Sequence, residues 1–265
     1  MRTKANGIAI NYQVDGPDGA PHDAPWLIFS NSLATNLGMW DDQAAELKRT
    51  FRVLRYDQRG HGASEAPAGR YTFELLIADA VALMDAVGIK TAHFAGLSMG
   101  GATALGFAQQ HPERLDKVIV CDSPCQSTPA SSQQWEERIV IAQTQGMEPL
   151  VEPTVGRWFP PEVMQAKAPH VDKVREMVRT TPVNGFIGCA AALADHNYAA
   201  AVASVKRPVL FIAGEKDGVT PAAMRKLSAA LPGSRYVELP GAGHISNMDQ
   251  PQGFTWAVAD FLKAG

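Results

Sequence analysis

The chain has 265 residues, 46% of them hydrophobic and 19% charged, with a formal net charge of −3. That composition suits a globular protein with a core of its own, and the scattered charges offer no basic stripe for nucleic acid. No apolar run reaches transmembrane length, the N-terminus shows no secretory pattern, and three cysteines are too few for a disulfide framework, so a cytoplasmic protein is expected that does not enter the membrane.

Strands and helices alternate along the chain. Residues 8–14 read as a strand, ended by Asp15-Gly16-Pro17-Asp18-Gly19. Trp26-Leu27-Ile28-Phe29 is a continuous apolar run, as in a strand buried on both faces, and Arg52–Tyr56 is another. Residues 72–87 carry apolar side chains at helical spacing and stop at Gly88. A strand over 91–97 leads into a helix over 101–110, ended before His111-Pro112. Strands follow at 117–121, 208–213 and 235–239, and a helix over 253–263 closes the chain. Between 123 and 205 the strand rhythm disappears and helical segments, prolines and charges replace it. The pattern predicts an α/β fold with a mostly parallel central sheet flanked by helices. Residues 1–122 and 206–265 would form its core, and 123–205 an inserted helical cap. In such sheets ligands sit at the carboxyl ends of the strands. Ser98, Asp122, Asp217 and the loop 30–33 all fall just after a predicted strand.

The strongest local signal is Gly96-Leu97-Ser98-Met99-Gly100-Gly101, between an apolar run and an alanine-rich helical run. This is the context of a nucleophile elbow, a sharp strand-to-helix turn that lifts a serine hydroxyl toward a base and a substrate. The helix behind Ser98 would aim backbone N–H groups at an oxyanion formed there. The bland alternative is an ordinary Gly/Ser turn.

A serine needs a base at neutral pH, and histidine is suited to it. His93 lies inside a predicted strand and reads as a satisfied core residue, His111 as a helix-end cap, and His22 as part of an N-terminal loop. His170 and His196 fall in the insertion, and His61 in the glycine-rich turn Arg59-Gly60-His61-Gly62-Ala63-Ser64. His244, in Pro240-Gly241-Ala242-Gly243-His244 after the last strand, fits the chain order serine, acid, histidine. Two carboxylates compete for the acid. Asp217 sits in the tight turn between Gly214 and Pro221 and is preferred; Asp122, which could instead shape the start of the cap, is the alternative, with Glu215 an outsider. The oxyanion donors are expected to be the N–H groups of Met99 and Leu33, the latter in Ser30-Asn31-Ser32-Leu33-Ala34-Thr35, with Asn31 or Ser32 side chains as support. Cys121 and Cys125 lack a second ligand pair and read as buried or free thiols; no metal and no cofactor are expected.

These residues give the whole chain a resemblance to the α/β-hydrolases: the elbow at Ser98, Asp217, His244, and the segment Tyr56-Asp57-Gln58-Arg59-Gly60-His61-Gly62-Ala63-Ser64. Within that superfamily the chain resembles the 3-oxoadipate enol-lactonases of bacterial aromatic degradation. The narrower likeness lies in Ile10-Asn11-Tyr12 with Asp15-Gly16-Pro17, in Ser30-Asn31-Ser32-Leu33 followed by Met39-Trp40, in the elbow over 96–101, and in Gly156-Arg157-Trp158-Phe159. Gln58 stands where relatives often carry threonine and reads as a harmless change; the decarboxylase domain fused to some relatives is absent from the sequence. The resemblance implies a serine hydrolase that opens an anionic enol-lactone to 3-oxoadipate in the β-ketoadipate pathway, a monomer or small homo-oligomer with a small-molecule substrate only. An esterase or perhydrolase, a C–C bond hydrolase and a small-lactone receptor share the same motifs and are the alternatives.

The substrate's carboxylate calls for a cation in a dry pocket, and arginine suits it best. Arg138 and Arg157 are the candidates, each near a tryptophan, Trp135 and Trp158, that could wall the ring. The competing expectation is that both arginines pair with insertion glutamates such as Glu136, Glu137 and Glu152.

Overall fold

Five of the predicted strands are buried along nearly their whole length, and they form the middle of a single sheet. The computed structural model describes residues 1–16, 24–198 and 202–263; Pro17, Asp18 and Gly19 of the first predicted turn, and His22, lie outside them. The strands are Arg2–Ala5 (β1), Ile8–Asp15 (β2), Trp26–Ser30 (β3), Arg52–Tyr56 (β4), Ala92–Leu97 (β5), Leu115–Cys121 (β6), Val209–Gly214 (β7) and Arg235–Leu239 (β8). Their order is β1-β2-β4-β3-β5-β6-β7-β8. β1 pairs with β2 and β2 with β4 in antiparallel fashion, and every later pairing is parallel. Parallel neighbours need crossovers, and helices supply them.

The helices are Asp41–Leu47 (α1), Phe73–Val87 (α2), Met99–Gln110 (α3), Pro129–Gln145 (α4), Glu148–Trp158 (α5), Pro161–Gln165 (α6), Pro169–Thr180 (α7), Val183–Asp195 (α8), Thr220–Ala230 (α9), Ser246–Asp249 (α10) and Pro251–Lys263 (α11). The signals that bound them are local. Thr72 caps α2 by accepting the Leu75 N–H at 3.2 Å, and Gly88 ends it at φ 81°, a conformation glycine adopts without strain. Leu76, Ile77, Ala80, Leu83 and Met84 line its buried face, as the helical period requires. Thr128 and Ser131 form a capping box at the start of α4. α3 is built of small residues so that it can lie close to the sheet. A Cβ on Gly101 would come 3.1 Å from the Cys121 oxygen at the end of β6, and one on Gly106 would come 2.6 Å from the hydroxyl of Tyr198 on the side away from that strand end.

Helices α4 to α8 all fall between β6 and β7. This helical insertion meets the sheet-bearing part through backbone contacts as well as side chains. Gly60 and Gly185 pass so close that a Cβ on Gly185 would lie 1.9 Å from the Gly60 oxygen, and Tyr71 N–H donates to Gly188 O at 3.0 Å. Cys125 O accepts the Tyr198 N–H at 2.6 Å across the base of the insertion. Among the described residues no helix is long and apolar enough to cross a membrane. Cys121, Cys125 and Cys189 are buried and free of disulfides.

Candidate active site

Gly96 and Gly100 are where the elbow needs them because backbone passes backbone there. A Cβ at Gly96 would sit 2.0 Å from Gly100 O, and one at Gly100 would sit 2.2 Å from Ser30 O. Between them Ser98 holds φ 56° and ψ −111°, a conformation that costs a non-glycine residue about 1–3 kcal/mol and persists only where the surroundings over-determine it. Its N–H donates to Cys121 O at 2.8 Å, which ties the turn to the neighbouring strand. The side chain is only half-buried, at the N-terminus of α3. The Gly100 contact brings the loop after β3 against the same helix end. The N–H groups of Met99 and Leu33 have no acceptor among the described residues, although both residues are buried.

Near the end of the chain, His244 lies in the loop after β8. Its Nδ1 is 2.8 Å from Asp217 Oδ2, with both side chains largely buried. A carboxylate there draws the proton to Nδ1 and leaves Nε2 bare as an acceptor, the tautomer a base requires. Several contacts hold the loop: among them, Gly243 N–H donates to Asp249 Oδ2 at 2.7 Å, Gly241 N–H to Glu215 Oε2 at 2.8 Å, Lys216 N–H to Ala242 O at 2.8 Å and His244 N–H to Trp158 O at 2.8 Å. Glu215, the outsider for the acid, therefore anchors the histidine loop.

Asp122 has a different task. It is fully buried at φ 45°, where its Oδ1 accepts the Gly214 N–H at 2.7 Å and its Oδ2 the Ser246 hydroxyl at 2.5 Å. Burial, then the negative charge of Asp217, pushes its carboxyl well above the usual carboxylate range. It joins the end of β7, just before the loop that carries Asp217, to the segment just after His244. Besides standing where the insertion starts, as expected, Asp122 thus clamps the end of β7 to the start of α10. His93 departs from expectation: it is buried against the edge of Phe51, yet its Nδ1 has no hydrogen-bond partner, because strand geometry sets its position rather than a polar neighbour. His111 does end α3, with its N–H donating to Phe107 O at 2.9 Å.

The match to known proteins is as extensive as the geometry. Residues 25–251 match the family model described as the alpha/beta hydrolase fold. The chain belongs to the α/β-hydrolase family. Two curated relatives from Acinetobacter baylyi are "3-oxoadipate enol-lactonase 2", 37% identical over 98% of this chain and 95% of its own, and "3-oxoadipate enol-lactonase 1", 33% identical over 100% and 97%. Among solved structures, the enol-lactonase from Burkholderia xenovorans LB400 superposes with a TM-score of 0.94 and 39% identity, covering 99% of each chain. Likeness of that degree makes this protein an enzyme, a hydrolase acting on ester bonds.

In this hydrolase the insertion reaches the histidine loop through Trp158. Its indole stacks on the His244 ring at 5.7 Å between centroids and 26° between planes, and a Cβ on Gly243 would fall 2.2 Å from its carbonyl oxygen. Arg157, beside it in α5, is exposed; Arg138, on α4, lies with its guanidinium 5.0 Å from the centre of the Trp135 ring. The expected glutamate pairs do not form. Glu136 is engaged by Arg70, Glu152 by Arg175, and Glu137 by Gln133. Neither Arg138 nor Arg157 has a carboxylate partner among the described residues. Burial, then the positive charge of Arg157, pulls Arg138 down to about 10.

Two residues at the site were not singled out as functional from sequence. Gln58, read there as a harmless change, donates from Nε2 to Asn31 O at 2.7 Å and from its own N–H to Asn31 Oδ1 at 3.0 Å. His61 accepts the Ala34 N–H on Nε2 at 2.9 Å. Both belong to the 56–64 segment, whose acidic and basic members are spent on scaffolding: Arg59 pairs with Asp79 at 2.6 Å, and Asp57 accepts the Leu37 and Ala63 N–H groups at 2.7 and 2.9 Å. The signal available in sequence was the glycine-rich turn itself, which carries no hint of the loop it would hold.

Proposed function

We propose that this hydrolase opens 3-oxoadipate enol-lactone to 3-oxoadipate through an acyl-enzyme on Ser98. His244 takes the serine proton on Nε2, Asp217 orients the imidazole and stabilises its charged form, and the N–H groups of Leu33 and Met99 receive the oxyanion. Attack on the ring carbonyl breaks the ring C–O bond and expels an enolate. The enolate leaves with little acid assistance, then takes the proton that His244 holds and tautomerises to the ketone, which returns the imidazole to its neutral form. Water then gives its proton to His244 and attacks the acyl-enzyme, releasing the second carboxylate and returning the proton to Ser98. No cofactor enters this sequence of steps. Residues 1–122 and 206–265 serve as the core and 123–205 as a cap over the site, in a cytoplasmic enzyme of the β-ketoadipate pathway.

The observation that carries the substrate assignment is the pair Arg138 and Arg157. Two guanidiniums near each other, without carboxylate partners among the described residues and with Trp158 linking the insertion to His244, favour an anionic ligand. Trp135 and Trp158 would wall its ring. The test is parallel hydrolysis of the enol-lactone, its methyl ester, a saturated lactone and a p-nitrophenyl ester, with Ser98→Ala as control. The enol-lactone should give the highest kcat/KM, and Ser98→Ala should lose roughly three or more orders of magnitude with its fold intact. Equal or better kcat/KM on the methyl ester would make the protein a general esterase.

A further inference from the structure

The loop after β3 is held in an unusual way. Ala34 adopts φ 57°, in the left-handed region, although it is not glycine. Leu33, just before it, is clamped from both sides. The peptide preceding Leu33 is fixed through Ser32 O, which accepts from Asn31 Nδ2 at 2.8 Å and from Thr35 Oγ1 at 2.9 Å. The peptide following Leu33 is fixed through the Ala34 N–H, whose acceptor is His61 Nε2 at 2.9 Å. His61 is fully buried, and its other nitrogen, Nδ1, faces Arg59 O at 3.1 Å. A carbonyl can only accept, so that contact puts the proton on Nδ1 and leaves Nε2 as the acceptor. Burial pulls the imidazole down to about 4, so it stays neutral at pH 7 and keeps that lone pair. The turn 59–64 is in turn anchored by Arg59 on Asp79 and by the close pass of Gly60 over Gly185.

We propose that His61 is the positioning residue of the oxyanion loop: as a neutral, Nδ1-protonated imidazole it holds the Leu33–Ala34 peptide and thereby aims the Leu33 N–H at the reacting carbonyl oxygen. The proposal rests on the assignment of Leu33 N–H as an oxyanion donor. It gives the RGHG turn a role in the rate of reaction although His61 itself touches no substrate. Loss of the clamp frees the Leu33–Ala34 peptide and, through the backbone torsions of Leu33, loosens the Ser32–Leu33 peptide that carries the donor, while the triad stays in place.

The experiment compares His61→Gln, whose amide can both accept from Ala34 and donate to Arg59 O, with His61→Leu, which can do neither. Hydrolysis of p-nitrophenyl acetate and of its thiono analogue is followed for each. Sulfur accepts hydrogen bonds poorly, so the oxygen-to-sulfur rate ratio reports the oxyanion donors directly. His61→Leu should lose on the order of 10- to 100-fold in kcat with little change in KM, and its oxygen-to-sulfur ratio should drop toward that of the uncatalysed pair. His61→Gln should recover most of both. A wild-type ratio in His61→Leu overturns the positioning role. A Ser98→Ala enzyme that still hydrolyses the ester overturns the serine mechanism instead, so the two failures are distinguishable. Long-range proton–nitrogen correlation spectra of the unmodified enzyme at pH 7 provide a test that needs neither a variant nor turnover. They should show a neutral imidazole protonated on Nδ1, and an Nε2-protonated or charged ring overturns the proposal.

Discussion

The buried imidazole of His61 should contribute a measurable loss of stability as pH drops from 6.5 toward about 4. In the unfolded chain the ring titrates near 6.5; in the folded protein burial pulls it down to about 4. Between those values the unfolded state binds a proton that the native state refuses, so unfolding free energy rises with pH across that window. The contribution is complete above 6.5, declines as pH falls, and is flat below about 4. The full difference corresponds to about 3 kcal/mol, and the part falling between about pH 7 and about pH 5 to about 2 kcal/mol. His93 and His196 are also pulled down by burial and act with the same sign, while the carboxyls of Asp122 and Asp79, pushed up by burial, act with the opposite one, so the absolute slope is a sum over all of them. His61→Gln isolates one of them. Urea unfolding followed by tryptophan fluorescence at the two pH values should show the wild type losing about 2 kcal/mol more than His61→Gln does on the same acid step. Equal losses in the two proteins would mean that His61 is charged or solvated in the fold, and the reasoning from its burial would fail.

Other substitutions separate the roles of neighbouring residues. Asp217→Asn should lower kcat by several orders of magnitude, in line with loss of the orienting carboxylate, whereas Asp122→Asn should act mainly on stability, by about 1–3 kcal/mol in a denaturant melt, because it loosens the clamp on Gly214 and Ser246; the opposite ranking of kcat would move the acid to Asp122. Gly100→Ala places a Cβ against the Ser30 carbonyl, where neither side is a flexible side chain. It should destabilise by about 1–3 kcal/mol or more and depress kcat, read by thermal melting and steady-state assay; wild-type behaviour in both would contradict the close approach. Arg138→Met should raise KM for the enol-lactone by roughly tenfold or more while leaving the methyl ester almost unaffected, since a charge-assisted hydrogen bond contributes about 1.5–3 kcal/mol; parallel loss on both substrates would make Arg138 a packing residue.

Much of the architecture was legible because its causes are local. Continuous apolar runs mark strands buried on both faces, and β3 and β4 lie where those runs predict. Thr72 and Gly88 bracket α2 as capping and stop residues should. The Gly-x-Ser-x-Gly spacing at 96–100 is itself a record of backbone crowding, so the elbow could be located without coordinates. Elements without such a signature were missed. β1 is four residues of mostly polar edge strand, α1 is seven residues long, and α9 buries little beyond Pro221 and Met224.

Which partners these residues take was decided only by tertiary structure. Sequence order left Asp122 and Asp217 as competitors; folding put Asp217 on His244 and turned Asp122 toward Gly214 and Ser246, 92 and 124 residues away in the chain. Nor could local pattern foretell that Glu136 and Glu152 would be taken by Arg70 and Arg175, leaving Arg138 and Arg157 without carboxylates, or that Gln58 and His61 would hold the loop that follows β3. Backbone conformation follows from neighbouring residues, through sterics, caps and hydrophobic period. Hydrogen-bond and charge partners follow from which surfaces the sheet order brings together, and that order depends on packing the whole chain at once.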